Sequence, residues 1–187
     1  HYRTSINWSR FLTDYEKGVV DEEYAAYYDQ LFDEMARNRI VPMICLEHYE
    51  LPGYLLETYG GWASKKVVEL YLLYVEKVFE RFHQKVTRWF TFNEPIVVQT
   101  RVYLDALRWP YEQNTSTWMQ WNYHKVLATA CVVKRFRELG YPGTVGCILN
   151  PEVTYPRSRA PHDLRAAEIY DLFFNRMFLD PLVHGVW

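Results

Sequence analysis

The sequence has 187 residues, with 21 Lys and Arg against 23 Asp and Glu, which gives a net charge of −2 at pH 7. The two signs of charge are interspersed, so the chain has neither the basic stripe of a nucleic-acid-binding protein nor a polybasic membrane-surface segment. It contains no run of about 20 apolar residues, as a transmembrane helix requires. We therefore expect no nucleic-acid partner and no membrane partner. Hydrophobic residues make up 49% of the chain, enough for one domain with its own core.

Three cysteines, Cys45, Cys131 and Cys147, stand apart in apolar surroundings. An odd number without a CxxC spacing argues against a disulfide framework and against a zinc site. Cys45 and Cys147 fall in strand-like runs, so we interpret them as buried free thiols. Free thiols are typical of a reducing compartment, and we therefore predict a cytoplasmic protein without a metal site.

Strand and helix signals alternate along the chain. Strand-like runs predict strands at 2–8, 41–46, 87–92 and 143–149, and the second run is continuously apolar, as in a buried parallel strand. Apolar residues at helical spacing predict helices at 21–38, 64–82, about 115–139 and 163–178. No linker or low-complexity segment separates these units, so residues 1–187 are interpreted as a single domain.

The helix boundaries carry their own signals. Asp21 can cap the first long helix, Ser64 can cap the second, and Gly140 ends the third. The helical period predicts that the apolar face of the first long helix consists of Tyr24, Tyr27, Tyr28, Leu31, Phe32 and Met35.

Four strand–helix units in tandem imply a parallel sheet with right-handed crossovers. A doubly wound sheet and a piece of a (β/α)₈ barrel both satisfy this α/β pattern. No GxGxxG or GxxxxGK(S/T) motif follows any strand, which counts against the nucleotide-binding form of the doubly wound sheet. Most polar and aromatic loop residues come after the strands, where a (β/α)₈ barrel carries its active face.

The densest chemical signal is the segment WFTFNEP at 89–95. A strand of aromatic and β-branched residues ends in Asn93, Glu94 follows, and Pro95 stops the strand. Cleavage of a glycosidic bond needs a carboxylic acid that stays protonated near neutral pH and can reach the leaving oxygen. Glu94 has a suitable position for this role, although a carboxylate at a strand end can equally cap the following helix.

Two further segments place polar side chains near strand ends. In CLEHYELP at 45–52, His48 can donate a hydrogen bond to a sugar hydroxyl, and Tyr49 can form a stacking or polar wall. This segment lacks the HExxH spacing of a zinc site. In YRTSINWSR at 2–10, Arg3 can hold a carboxylate nucleophile in its ionised form. Each residue also has an ordinary structural alternative, a core histidine or an ion pair within the barrel.

Taken together, these segments resemble glycoside hydrolase family 1. TFNEP, preceded by Trp89, is similar to the acid/base signature of that family, YRTSINWSR to its second-strand motif and HYELP to its third-strand motif. The segments YGGW at 59–62 and NRMFLDPLVHG at 175–185 also fit, and the motifs occur in the order of the family. The resemblance covers the chain nearly end to end.

This resemblance implies a (β/α)₈ barrel and retaining hydrolysis of β-glycosides, without a metal or organic cofactor. By motif matching it implies that Glu94 is the general acid/base and that Asn93 binds the sugar 2-hydroxyl. It implies that His48 is a ligand of the glycone, and that Arg3 is a partner of the nucleophilic carboxylate; Tyr49 is expected to bind the substrate as the adjoining wall.

The nucleophile of the family belongs to a late Glu-Asn-Gly motif, and no ENG occurs in this sequence. The first-strand Gln of the family and its late strands are also absent, and a complete barrel needs roughly 250 residues. We therefore interpret the chain as a partial barrel, about strands two to five with their helices. We expect it to be a fragment of a longer product. The fragment carries half of the catalytic pair and is expected to be inactive alone.

The expected ligand is a small β-glucoside. HYELP favours the branch of the family that acts on 6-phosphorylated β-glucosides, because the commoner pattern has Asp in place of Glu50; DLRAAE at 163–168 resembles the same branch. A non-phosphorylated β-glucosidase and a non-catalytic sugar-binding or degenerate half barrel stay open as alternatives. Glu47 departs from the usual small or aromatic residue and either disturbs the glycone site or points into the barrel wall. Trp121 is expected to pack on its helix, while Trp109 either lines an aglycone entrance or packs under its loop.

Overall fold

The computed structural model describes residues 1–186, and its main sheet consists of four parallel strands. The strands of this sheet are β1 (Tyr2–Ser5), β4 (Pro42–Cys45), β5 (Arg88–Asn93) and β6 (Thr144–Ile148). They are paired in the order β1-β4-β5-β6 and every pairing is parallel, as the alternation of strand and helix signals predicted. A separate antiparallel pair lies in the first crossover and consists of β2 (Leu12–Asp14) and β3 (Val19–Val20).

Helices form the crossovers between the parallel strands. They are α1 (Trp8–Phe11), α2 (Glu22–Arg37), α3 (Gly53–Tyr59), α4 (Lys65–Phe82), α5 (Val97–Gln99), α6 (Thr115–Leu139), α7 (Pro161–Asp171) and α8 (Met177–His184). A 3₁₀ turn at Gly61–Ala63 precedes α4, and π-helical turns follow α5 at Thr100–Leu104 and α7 at Leu172–Arg176. Within residues 1–186, every helix is too short or too polar to cross a membrane.

The predicted boundaries of the long helices are confirmed. The Asp21 carboxylate accepts a hydrogen bond from the Tyr24 backbone N–H at 2.9 Å, and the Ser64 hydroxyl accepts one from the Lys66 N–H at 3.2 Å. Gly140 closes α6 in the left-handed conformation, with φ 65°. A side chain is strained in that conformation, which is why glycine commonly ends helices.

The first predicted strand is shorter than expected. β1 ends at Ser5 rather than Trp8, because Asn7 caps a helical turn instead of continuing the strand. The Asn7 side chain accepts a hydrogen bond from the Arg10 backbone N–H at 3.2 Å. Asparagine is among the preferred capping residues, so the local signal for α1 was present in the sequence.

The predicted apolar face of α2 is wrong at one position. Tyr28, Phe32 and Met35 are buried as expected, but Tyr27 is 57% exposed. The buried stripe runs through Ala25, Tyr28, Phe32 and Met35 at intervals of three and four. Tyr27 lies about 100° around the helix from Tyr28 and therefore falls outside this stripe.

The last predicted helix, 163–178, is longer than expected. It begins at Pro161, two residues before the predicted start, and continues through a π-helical turn to His184. Proline is well suited to the first helical position because that residue has no intrahelical partner for its backbone nitrogen. α3, which follows β4, was not predicted at all.

Aromatic rings fill much of the core between the sheet and α4. Trp8 is fully buried and stacks on Tyr74 with ring centroids 5.3 Å apart, while Tyr71 stacks on Phe92 at 5.0 Å. The Tyr74 hydroxyl lies 2.9 and 3.0 Å from the backbone carbonyls of Ile6 and Leu46. One side chain of α4 thus ties together the segments that follow β1 and β4.

The register of the sheet aligns the C-terminal ends of its strands. Ser5 pairs with Cys45, Cys45 with Phe90, and Asn93 with Ile148. The loops that follow the four strands therefore open at one edge of the sheet, where parallel α/β folds carry their functional residues.

Candidate active site

Glu94 lies at the C-terminal edge of the sheet, directly after β5. Its backbone N–H donates a hydrogen bond to the carbonyl of Ile148 in β6 at 2.7 Å, and its own carbonyl accepts from the Val97 N–H at 3.0 Å. Its φ is 45°, an unfavourable value for a residue with a side chain. Such strain costs about 1–3 kcal/mol, persists only where neighbouring contacts hold it, and is concentrated at functional sites.

Asn93, the residue before Glu94, contacts Arg3 across the sheet. The Arg3 guanidinium donates to the Asn93 side-chain oxygen at 3.2 Å, joining β1 to β5. Asn93 is 4% exposed, and its backbone N–H donates to the carbonyl of Glu47 at 2.9 Å. The structure therefore brings together two residues that the sequence analysis selected from segments 90 positions apart.

Tyr49 contacts Glu94 directly, since its hydroxyl donates a hydrogen bond to the Glu94 carboxylate. Tyr49 also adopts a positive φ, 73°, so the loop after β4 is strained at this residue. Burial, with the hydrogen bond to Glu94 as the next cause, raises the pKa of Tyr49 to about 12. The phenol consequently keeps its proton at neutral pH and acts as a hydrogen-bond donor.

His48 lies beside this pair, with its ring packed edge-on against Tyr49 at a centroid distance of 5.1 Å. Burial, and then the positive charge of Arg3, lower the pKa of His48 below its ordinary value of 6.5. The imidazole is therefore neutral at pH 7 and offers one N–H donor and one nitrogen acceptor. That combination suits a hydroxyl group, which can both donate and accept.

The Glu47 side chain is buried in the barrel wall, where it faces Lys125 of α6 and also lines a cavity beside Tyr49. Its carboxylate lies 3.7 Å from the ammonium group of Lys125, and the two side chains are 2% and 1% exposed. Burial raises the pKa of the Glu47 carboxyl, while Lys125 opposes that effect. Lys125 is a component of this region that the sequence analysis missed.

A cavity of about 430 Å³ opens beside Tyr49, between α3 and α6. Its floor includes Glu47 and Lys125, and its aromatic lining consists of Tyr49, Trp62, Tyr103, Trp109 and Trp121. Trp121 is 5% exposed, which confirms that it packs on its helix, whereas Trp109 is 65% exposed and does not pack beneath its loop.

A second cavity, of about 340 Å³, lies next to Ile96 and Val97, shortly after Glu94 in the chain. It is lined by polar as well as apolar groups, among them Arg101, Asn150 and Glu152. Among residues 1–186, no cluster of His, Cys, Asp and Glu side chains could hold a metal ion.

Parallel strands paired in chain order, with helical crossovers and polar side chains gathered at the C-terminal edge, form the arrangement of part of a (β/α)₈ barrel. The chain belongs to glycoside hydrolase family 1, since the family model described as "Glycosyl hydrolase family 1" matches residues 1–187. The predicted family and fold class, a partial (β/α)₈ barrel, are thereby confirmed.

Curated relatives match nearly the whole chain. The chain is 38% identical over 184 residues to "6-phospho-beta-glucosidase GmuD" of Bacillus subtilis (strain 168), covering 98% of the chain and 39% of the relative. It is 35% identical over 195 residues to "Beta-glucosidase 26" of Oryza sativa subsp. japonica, covering 98% of the chain and 38% of the relative. The chain thus spans about two fifths of the length of these relatives.

Solved structures also match the whole of this chain over about two fifths of their own length. The psychrophilic β-glucosidase BglU from Micrococcus antarcticus matches with a TM-score of 0.90 and 34% identity, over 100% of this chain and 39% of that one. The β-glucosidase from Thermotoga maritima in complex with deoxynojirimycin matches with a TM-score of 0.89 and 29% identity, over 100% of this chain and 42% of that one.

Proposed function

We propose that this chain provides the acid/base half of a retaining β-glycosidase within a longer protein. The observation that carries the proposal is the position of Glu94 directly after β5, next to the Arg3–Asn93 hydrogen bond and in contact with the Tyr49 hydroxyl. The family membership and the two-fifths coverage of the relatives support the same interpretation.

In the proposed reaction, Glu94 first protonates the leaving oxygen and then deprotonates the water that resolves a glycosyl-enzyme intermediate. Proton transfer of this kind contributes about 10²- to 10⁴-fold to the rate. The nucleophile is a second carboxylate about 5–5.5 Å from the first. Because the sequence contains no ENG motif, we expect the 187-residue chain to be inactive alone.

The neighbouring residues have separate proposed roles in binding the sugar. A guanidinium can only donate hydrogen bonds, so Arg3 engages the oxygen of Asn93 and leaves the amide nitrogen as a donor to the sugar 2-hydroxyl. The neutral imidazole of His48 binds a hydroxyl of the glycone, and Tyr49 forms the adjoining wall. In the longer protein, Arg3 also holds the nucleophilic carboxylate in its ionised form.

We further propose that the substrate is a 6-phosphorylated β-glucoside and that the protein is cytoplasmic. HYELP and DLRAAE favour this branch, and relatives such as GmuD carry a 6-phospho-β-glucosidase name. Cys45 is a buried free thiol whose pKa is raised by burial, which suits a reducing compartment.

Glu94→Gln in the longer protein tests the acid/base role. We expect kcat/KM, which reports formation of the glycosyl-enzyme, to fall about 10²-fold or more for a poor leaving group such as phenol, and far less for dinitrophenol, which needs no proton to depart. Glu69→Gln is the matched control, because Glu69 is an exposed residue of α4. Unchanged turnover of the phenyl substrate by Glu94→Gln would refute the assignment.

A comparison of p-nitrophenyl β-glucoside with its 6-phosphate tests the substrate class. The proposal expects the longer protein to prefer the phosphorylated compound and the 187-residue chain to cleave neither. A preference for the free glucoside would replace the phosphorylated substrate with the ordinary one. Cleavage of neither compound by the longer protein, combined with measurable sugar binding, would support a non-catalytic sugar-binding protein instead.

A further inference from the structure

Lys125 and Glu47 form a buried ion pair directly beneath the segment that contains Glu94. The two side chains are 1% and 2% exposed, and the ammonium nitrogen lies 3.7 Å from the carboxylate oxygen. Lysine and glutamate are almost never fully buried unless they are paired. A buried pair is a poor source of stability compared with apolar side chains of similar size, so a role in specifying geometry is worth testing.

Lys125 contacts the backbone at the candidate acid/base. Its ammonium group donates to the carbonyl of Pro95, the residue after Glu94, at 3.3 Å. The same group lies over the rings of Phe92 and Trp62, with distances to the ring centroids of 5.3 and 5.9 Å. These aromatic faces attract the cation and exclude water from it.

Glu47 contacts the residue on the other side of Glu94. Its backbone carbonyl accepts a hydrogen bond from the Asn93 N–H at 2.9 Å, while its side chain pairs with Lys125. The backbone is therefore held immediately before and immediately after Glu94. Since Glu94 has a φ of 45°, these contacts act on a residue whose backbone conformation needs support.

We propose that Lys125, with Glu47 as its counter-ion, is a positioning residue that holds the backbone at Asn93 and Pro95 so that the Glu94 carboxyl group reaches the leaving oxygen. This inference rests on the proposed function of Glu94. A misplacement of about 1 Å at a catalytic group costs on the order of 10²-fold in rate. Loss of the contact to Pro95 should therefore slow the step that needs proton transfer.

The informative variant is the double substitution Lys125→Met with Glu47→Gln. Lys125→Met alone leaves a buried carboxylate without its counter-ion, and such a protein can fail for reasons of folding. The double variant removes both charges together, so no buried charge is left unpaired. It also removes the hydrogen bond from Lys125 to the Pro95 carbonyl, which is the contact under test. Lys134→Met is the matched control, because Lys134 lies on the same helix with 79% of its side chain exposed.

The measurement is kcat and KM for phenyl and dinitrophenyl β-glucosides with the longer protein, in whichever form, free or 6-phosphorylated, the unmodified protein cleaves. For the double variant we expect kcat/KM, which reports formation of the glycosyl-enzyme, to fall about 10- to 100-fold on the phenyl substrate and by less than about threefold on the dinitrophenyl substrate. Lys134→Met should retain the rates of the unmodified protein on both. An equal loss on both substrates, or no loss on either, overturns the proposal and reduces the pair to a structural contact.

Two further variants keep these outcomes distinct. Glu94→Gln is measured in parallel: if it lacks the dependence on the leaving group, the proposed function fails and the inference fails with it. If Glu94→Gln shows that dependence and the double variant does not, only the role of Lys125 fails. Should the double variant not fold, Glu47→Asp keeps both charges but retracts the counter-ion. The Glu47→Asp variant is then expected to show the same dependence on the leaving group, with a smaller loss of rate. If that dependence is absent, the inference is also overturned.

Discussion

Replacing Glu50 with Gln should change how the stability of the chain depends on pH. Burial, with the negative charge of Glu47 as the next cause, raises the pKa of Glu50 from 4.5 to about 7. A pKa difference of this size corresponds to about 3 kcal/mol of unfolding free energy. Because the side chain is only partly buried, solvent screening reduces this contribution to about 2 kcal/mol. The Glu50 carboxylate accepts the His48 backbone N–H at 3.0 Å, and a glutamine oxygen can accept the same hydrogen bond.

The direction of the effect follows from proton linkage. Below about pH 4.5 Glu50 is protonated in both the folded and the unfolded chain and imposes no penalty. As the pH rises from 4.5 towards 7 the unfolded chain releases this proton first, so the folded state loses stability, and above about pH 7 the penalty is constant. Glu50→Gln lacks this penalty at every pH.

Urea denaturation of the unmodified chain and of Glu50→Gln at about pH 4.5 and about pH 8 measures this difference. We expect the variant to gain about 2 kcal/mol of unfolding free energy relative to the unmodified chain between the two conditions. Glu69→Gln, at an exposed position, should show no comparable gain. The reasoning is refuted if the difference between Glu50→Gln and the unmodified chain is the same at both pH values, or if it changes in the opposite direction.

Three further substitutions test the packing of the fold by urea denaturation. Tyr74→Phe removes the hydroxyl that bonds the carbonyls following β1 and β4, and should lower the free energy of unfolding by about 1–3 kcal/mol; no loss would mean that these carbonyls find other partners. Gly143→Ala should prevent normal folding, because φ is 120° and an added Cβ would lie 2.1 Å from the Thr87 carbonyl oxygen; a cooperative transition at the original midpoint would contradict this. Asn114→Ala should cost about 1 kcal/mol, since the Asn114 side chain caps α6 by accepting the Thr117 N–H at 3.0 Å; an unchanged midpoint would show that the cap contributes nothing.

Local signals in the sequence were sufficient for the long helices and for the parallel strands. Asp21 and Ser64 cap the helices that they were predicted to cap, because a capping hydrogen bond reaches only two or three residues along the chain. The exposure of Tyr27 was not predictable in the same way. Two adjacent tyrosines both fit a broad apolar face, and only packing against the neighbouring elements determines which one is buried.

The candidate site likewise contains residues that a local motif predicts and residues that only tertiary packing brings together. Glu94 and Asn93 are adjacent in a recognisable motif, so their proximity follows from the sequence. The ion pair of Lys125 with Glu47 depends on how α6 packs on the sheet, which periodicity alone does not specify. A signal was nevertheless present, because Lys125 lies in register with the buried residues Trp118, Trp121, Ala128 and Val132 of the same helix. A lysine within a buried helical stripe indicates a buried partner.

The most direct test of the central claim is the product that the Glu94→Ala variant of the longer protein forms from a dinitrophenyl β-glucoside, or its 6-phosphate, in the presence of azide. This substrate needs no acid to depart, and azide needs no base to attack, so the variant should be rescued if Glu94 is the acid/base of a retaining enzyme. Two inversions, one by the nucleophile and one by azide, leave the β configuration, which NMR identifies. The proposal predicts a faster reaction and a β-glycosyl azide. An α-glycosyl azide, or the absence of any azide product from a folded and sugar-binding variant, would contradict it.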